Sequence, residues 1–186
     1  MASLQDIMNV LATKYDRWGG EISGSVSIRG SLSVDGAVVP SGRAFGTTFT
    51  DYAEYFERGE ITEHGDIIML NIYSDKEEYV KAVKDAGPVV GVHNDDFAMI
   101  IGAKKEFVEH PDMVELNKKV LIPIALKGRT MVKVKGKVSL GDIIVASKEP
   151  GIGEVDNECT DRYKYVGKAI TSSDEEGVKL IKILIR

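Results

Sequence analysis

A mainly β fold follows from three features of the sequence. Glycine recurs every six residues, at Gly24, Gly30, Gly36 and Gly42. Apolar residues alternate with small or polar ones through the same stretch, which is strand periodicity. From Gly59 onward, short apolar runs are separated by turn signals such as Gly65-Asp66, Gly141-Asp142 and Gly151, the pattern of a small barrel or sandwich. The expected architecture is an N-terminal helix (1–19), a short trimeric β-helix-like stem (20–49) and a C-terminal small β-barrel or sandwich domain with one or two short helices (50–186).

The helix is expected over about Ser3 to Arg17. Ser3 is a candidate N-cap with Asp6 three residues on. Leu4, Ile7, Met8, Leu11, Tyr15 and Trp18 fall near one face, and Leu4, Leu11 and Trp18 keep heptad spacing. Two heptads are marginal for an isolated coiled coil. The stripe therefore suits either a helix docked on its own domain or an anchor helix that clamps a trimer or plugs into a larger assembly, with Leu4, Ile7, Leu11 and Trp18 as its contacts. Gly19-Gly20 ends it.

In the glycine repeat the apolar positions are Ile22, Val26, Ile28, Leu32, Val34 and Val38. Such a stretch must bury one face, and about twenty residues alone cannot build a core. Two arrangements satisfy that need. One is a hairpin or meander packed on the rest of the chain. The other is an intertwined β-helix in which three identical chains present these six side chains to one another, with glycines easing the corners. The regular six-residue spacing favours the second and makes the protein a homotrimer.

Gly42–Thr50 reads as a joint, followed by Asp51-Tyr52-Ala53-Glu54-Tyr55-Phe56-Glu57. Asp51 and Glu54 are three apart, so a helical turn would set both carboxylates on one face, and Thr50 places a hydroxyl beside them. A hydroxyl or carboxylate next to a peptide bond, with a second carboxylate to handle protons, is a minimal kit for breaking that bond. The same residues also suit an ordinary Thr50 N-cap with acids in the first turn.

The seven-residue run resembles the signature of the intramolecular-chaperone autoproteolytic domain at the C-termini of phage tailspike and appendage proteins. The likeness extends from about Thr50 to Arg186, through Gly87–His93, Met99–Gly102, Val120–Gly128, Val132–Val134, Val138–Val145, Gly151–Gly153, Tyr165–Ile170 and Leu180–Ile185. The glycine repeat upstream is also what phage fibres of this sort carry. In the family a serine precedes the Asp and the chain cuts itself between the two. The resemblance implies a scissile bond at Thr50–Asp51, with Thr50, Asp51 and Glu54 as the reacting groups and threonine standing where the family has serine. The enzyme class it implies is a single-turnover autoprotease. The function it implies is a virion structural protein of a phage or prophage, made in the host cytoplasm: a homotrimeric fibre, spike or capsid-decorating protein whose partners are its own copies and other virion structural proteins. A self-cleaving chaperone, or a bacterial surface or adhesion module without chemistry, are the alternatives.

Composition narrows the other classes. A net charge of −5 over 186 residues argues against a nucleic-acid-binding surface. The longest apolar run, around Val120–Leu126, is far short of a membrane span. Met1–Asp6 lacks the basic and apolar regions of a signal peptide, and the single cysteine, Cys159, forms no internal disulfide. No phosphate loop, nucleotide fingerprint, CxxC or nucleophile elbow is present, so no cofactor and no metal is expected. His93-Asn94-Asp95-Asp96 reads as an Asn/Asp-rich turn rather than a cation site. His64 and His110 lack ligand spacing. Ser139 or Ser147 with Lys133 or Lys135 would make a Ser–Lys dyad, though no spacing selects a pair. Helical patches are expected over about Asp75–Ala86 and Pro111–Asn117.

Overall fold

The computed structural model describes residues 51–107 and 112–185. The anchor helix, the stem, Thr50 and His110 lie outside the described residues.

One strand organises this domain. Strand β6 (Leu121–Val134) is 14 residues long and changes character halfway. Leu121–Ala125 are all buried, as in a strand covered on both faces. From Thr130 to Val134 buried and half-buried residues alternate, as in a barrel wall. The change falls at Gly128, whose φ of +106° bends the chain without ending the strand; a side chain there would be strained. The resemblance covers this stretch as two separate segments, Val120–Gly128 and Val132–Val134. It is one strand with a corner.

The first half of β6 lies between β1 (Asp51–Glu57) and β4 (Val89–His93). Outward from β4 come β2 (Ile67–Leu70) and β3 (Tyr79–Lys81). On the other side β1 pairs in parallel with β5 (Met99–Ile101). The second half of β6 closes a five-stranded barrel with β7 (Ile143–Ala146), β8 (Gly153–Val155), β9 (Tyr165–Ala169) and β10 (Lys179–Ile185). The ring runs β6–β8–β7–β9–β10 and returns to β6, so no edge is left open. A single α-helix among the described residues, α1 (Met113–Val120), leads into β6, close to the expected Pro111–Asn117 patch.

Alternation sorts the apolar side chains into two cores. Val132, Val134, Ile144, Val166, Ile181 and Ile183 fill the barrel. Ile68, Tyr79, Ile122 and Ile124 form a second cluster beneath the sheet. Strand β2 serves both, with Ile67 in the first and Ile68 in the second. At about 25 cal/mol per Å² of apolar surface removed from water, such burial is the main term holding the domain together.

The expected helix over Asp75–Ala86 is not formed. That segment holds turns and strand β3, with Met69 opposite Val80 and Leu70 opposite Tyr79. Tyr79, Val80 and Val83 have helical spacing, but β2 carries backbone groups that need partners, and pairing satisfies them.

Candidate functional site

The signature run Asp51–Glu57 is strand β1, not a helical turn. It sits between two neighbours, parallel to β5 and antiparallel to β6. A strand alternates its side chains, so Asp51, Ala53 and Tyr55 face one side and are buried, while Tyr52, Glu54 and Phe56 face the other and are half-buried. This corrects both the shared carboxylate face and the N-cap alternative drawn from helical spacing: within one chain, Asp51 and Glu54 point to opposite sides of the sheet.

Asp51 is only 6% exposed. Its Oδ2 accepts a hydrogen bond from Asn94 Nδ2 at 2.6 Å, and its Oδ1 accepts one from the Ala98 backbone N–H at 2.9 Å. Asn94 is itself pinned. Its N–H donates to the Pro123 carbonyl at 2.9 Å, and its Oδ1 accepts from the Asp96 N–H at 3.1 Å. The expected turn is formed by Asn94–Asp96, directly after β4, while His93 is the last residue of that strand. The turn's second task, holding Asp51 from 43 residues away, carries no local sequence signal.

Next to Asn94 lies a buried polar chain. His93 Nδ1 is 2.8 Å from Thr62 Oγ1, and His93 Nε2 is 3.4 Å from Asp95 Oδ1. Arg58 Nη1 donates to the same Thr62 oxygen at 3.3 Å. The ionised Asp95 carboxylate only accepts, which places the imidazole proton on Nε2 and leaves Nδ1 to accept from the Thr62 hydroxyl. Lys118 Nζ closes the network 3.4 Å from Asp95 Oδ1, and Arg58 Nη2 donates to the carbonyls of Lys118 and Leu121. Burial pushes the His93 pKa down, against the opposing pull of Asp95. The Asp95 carboxyl is also held low: burial opposes this, but His93 and Lys118 outweigh it. Burial, with the charges of Glu115 and Asp95, pushes Tyr55 up to about 12.

A hydroxyl, an imidazole and a carboxylate in line have the composition of a nucleophilic relay. Thr62 is 6% exposed and His93 4%, so no substrate reaches the hydroxyl. The chain works as an internal tie between β4, the segment after β1 and helix α1. A second such tie is Asp66, nearly buried, which accepts from Lys133 Nζ at 2.8 Å and from the Glu63 N–H at 2.8 Å, with Lys81 at 3.6 Å.

The Ser–Lys alternative is not assembled. Ser147 Oγ bonds to the backbone of Glu149, while Lys133 serves Asp66 and Glu63 and Lys135 pairs with Glu149. Ser139 is exposed, and its N–H donates to Asp142. Among the described residues no group of three His, Cys, Asp or Glu is placed to hold a metal, and no helix is long and apolar enough to cross a membrane.

Fold and site together define a class: a small, mainly β module in which a closed barrel and a mixed sheet share one strand, with the acid that opens β1 built into the sheet. Two solved structures with a similar fold come from a phage. The C-terminal fragment of bacteriophage phi29 gene product 12 matches with a TM-score of 0.52 and 16% identity, over 73% of this chain and 100% of that one. Pre-mature phi29 gene product 12 matches with a TM-score of 0.56 and 18% identity, over 83% of this chain; the chain spans about a quarter of that protein, 24%. No family model and no curated protein matches the sequence.

Proposed function

We propose that the chain is a structural protein of a phage or prophage virion, a homotrimeric fibre, spike or capsid-decorating protein whose C-terminal domain assists trimer folding. The observation that carries this reading is the likeness to the phi29 gene product 12 C-terminal fragment over that fragment's full length. The glycine repeat with its one-sided apolar face supports the trimer. The stripe of Leu4, Ile7, Leu11 and Trp18 supports attachment to other virion proteins, since a buried Trp is a common interface anchor.

Light scattering of the native protein tests the reading. A mass of three chains is expected. Ile28→Asp should dissociate the trimer, because it would bury a charge in three copies around one axis. A monomer or dimer at micromolar concentration sinks the proposal. Deleting residues 1–18 should abolish incorporation into virions; unchanged incorporation removes the anchor role.

Self-cleavage at Thr50–Asp51 is a separate proposal within this reading, supported by the motif. The engagement of both Asp51 oxygens favours a structural role for that carboxylate, and the threonine methyl crowds attack at the bond. Slow or absent cleavage is therefore expected, with Thr50→Ser faster. Intact mass under denaturing conditions reads both: a full-length mass for the wild type and for Thr50→Ser after prolonged incubation excludes cleavage.

A further inference from the structure

Where the sheet meets the barrel, three loops surround an open groove of about 500 Å³. Ile72 and Tyr73 come from the β2–β3 connection, Asp85 from the β3–β4 turn, and Asp161, Tyr163 and Lys164 from the β8–β9 loop. Tyr73 is 82% exposed, Tyr163 59% and Ile72 55%.

These side chains stand on fastened backbone. The Tyr163 carbonyl accepts from the Val89 N–H at 2.8 Å, and its N–H donates to Asp161 Oδ1 at 2.9 Å. The Tyr73 N–H donates to Asn71 Oδ1 at 3.1 Å. Lys164 Nζ lies 2.6 Å from Asp85 Oδ1, bridging two of the loops. Asp85 is the one non-glycine residue among those described with a left-handed backbone, at φ +65°.

We infer that this groove binds a neutral saccharide of one or two rings. Its volume lies in the range of small-ligand sites. Tyr73 and the face of Tyr163 not covered by Arg162 offer planar apolar surfaces for the C–H face of a sugar, and the Tyr163 hydroxyl, which accepts from Arg162 Nη2 at 3.4 Å, keeps its own proton to donate. Two carboxylates accept from sugar hydroxyls and one ammonium donates to them. Charge selects among ligands. Asp85, Asp161 and Lys164 sum to −1, with Arg162 stacked 5.2 Å from the Tyr163 ring, so the rim is close to balanced. A phosphorylated or polyanionic ligand would meet two carboxylates, and an apolar one would strand the ion pair. The inference stands whether or not the chain is a virion protein.

The experiment is an amide NMR titration of the full-length protein with glucose, galactose, N-acetylglucosamine and their β-linked disaccharides. At least one is expected to shift resonances confined to 71–74, 85–88 and 161–164, with a Kd of about 1 mM or tighter. Tyr73→Ala and Tyr163→Ala should each weaken it by about tenfold or more, a loss well above the scatter of surface substitutions. Leu140→Ala, an exposed apolar residue away from the groove, should leave it unchanged. No localised shift with any of the sugars overturns the inference, as do shifts insensitive to both tyrosines. So does a change of native mass in either tyrosine variant, which would make the groove a contact between copies of the chain.

Discussion

Replacing Asp51 with alanine separates a structural acid from a catalytic one. The buried carboxylate receives Asn94 Nδ2 at 2.6 Å and the Ala98 N–H at 2.9 Å. Hydrogen bonds to charged groups contribute about 1.5–3 kcal/mol each, and deleting the acceptor leaves the buried Asn94 amide and the half-buried Ala98 N–H without it. Asp51→Ala should therefore cost about 3–5 kcal/mol, out of a total stability of about 5–15 kcal/mol. For a domain of this size the melting temperature should fall by about 10–20 °C. Asp51→Asn keeps one acceptor oxygen and turns an amide toward the other donor, so about half the loss is expected. Urea denaturation followed by far-UV circular dichroism measures each variant. A double-mutant cycle with Asn94→Ala should give a coupling of about 1–2 kcal/mol. The reasoning is refuted if Asp51→Ala unfolds within about 0.5 kcal/mol of wild type, the range of an ordinary surface substitution. The result also governs how cleavage data are read. A destabilised Asp51→Ala that fails to cut says nothing about chemistry, whereas Asn94→Ala loosens the same carboxylate and leaves it in place.

Two further outcomes follow from the geometry. A Cβ at Gly91 would lie 2.3 Å from the Ala125 carbonyl oxygen and 2.7 Å from Ile124 Cγ2, so Gly91→Ala should cost about 3 kcal/mol or more by forcing β4 from β6; Gly177→Ala, with nothing within 4 Å, should fall within about 0.5 kcal/mol of wild type, and equal urea midpoints for the two would disprove the close approach. Burial holds the His93 pKa below its ordinary value of about 6.5, so the unfolded chain binds a proton there that the folded chain refuses. Stability should be fully present above about pH 6.5 and decline as pH falls toward the depressed folded value. Urea midpoints at about pH 7.5 and 5.5 should differ in that sense, and the difference should shrink in His93→Gln; an unchanged difference would place the dependence elsewhere.

What the sequence disclosed was whatever short-range pattern decides. β4, β5, β9 and β10 fall on runs whose alternation or continuous apolarity is local, and the Asn-Asp turn after His93 follows from side chains bonding their own backbone. The departures share one cause. An i, i+3 acid pair fits a helix or a strand equally, and β1 is a strand because β5 and β6 flank it from 47 or more residues away (Tyr52 opposite Met99, Asp51 opposite Gly128). The two segments Val120–Gly128 and Val132–Val134 are one strand, because the positive φ of Gly128 lets pairing continue around a corner. Asp75–Ala86 has a helical stripe and was claimed by the unpaired edge of β2. The partners of Asp51 were illegible for the same reason: Asn94 and Ala98 reach it only through the tertiary fold.

The register gives the position of the motif a physical meaning. Gly128 is opposite Asp51 in the β1–β6 pairing and opposite Ile185 in the β10–β6 pairing. The first residue of the signature strand, the corner of the shared strand and the last residue of β10 therefore meet on one rung. Asp51 thus sits where the sheet and the closed barrel are joined through β6. Both cores also draw on β2, so neither half is complete without the other. Long-range pairings of this kind form late, because loop closure must be paid first. An acid fixed by Asn94 and Ala98 at that rung therefore depends on contacts from 43 and 47 residues away. A change at Gly128 would therefore disturb the start of β1 and the end of β10 together, and Gly128→Ala, strained at its positive φ, should destabilise the domain more than Gly177→Ala does.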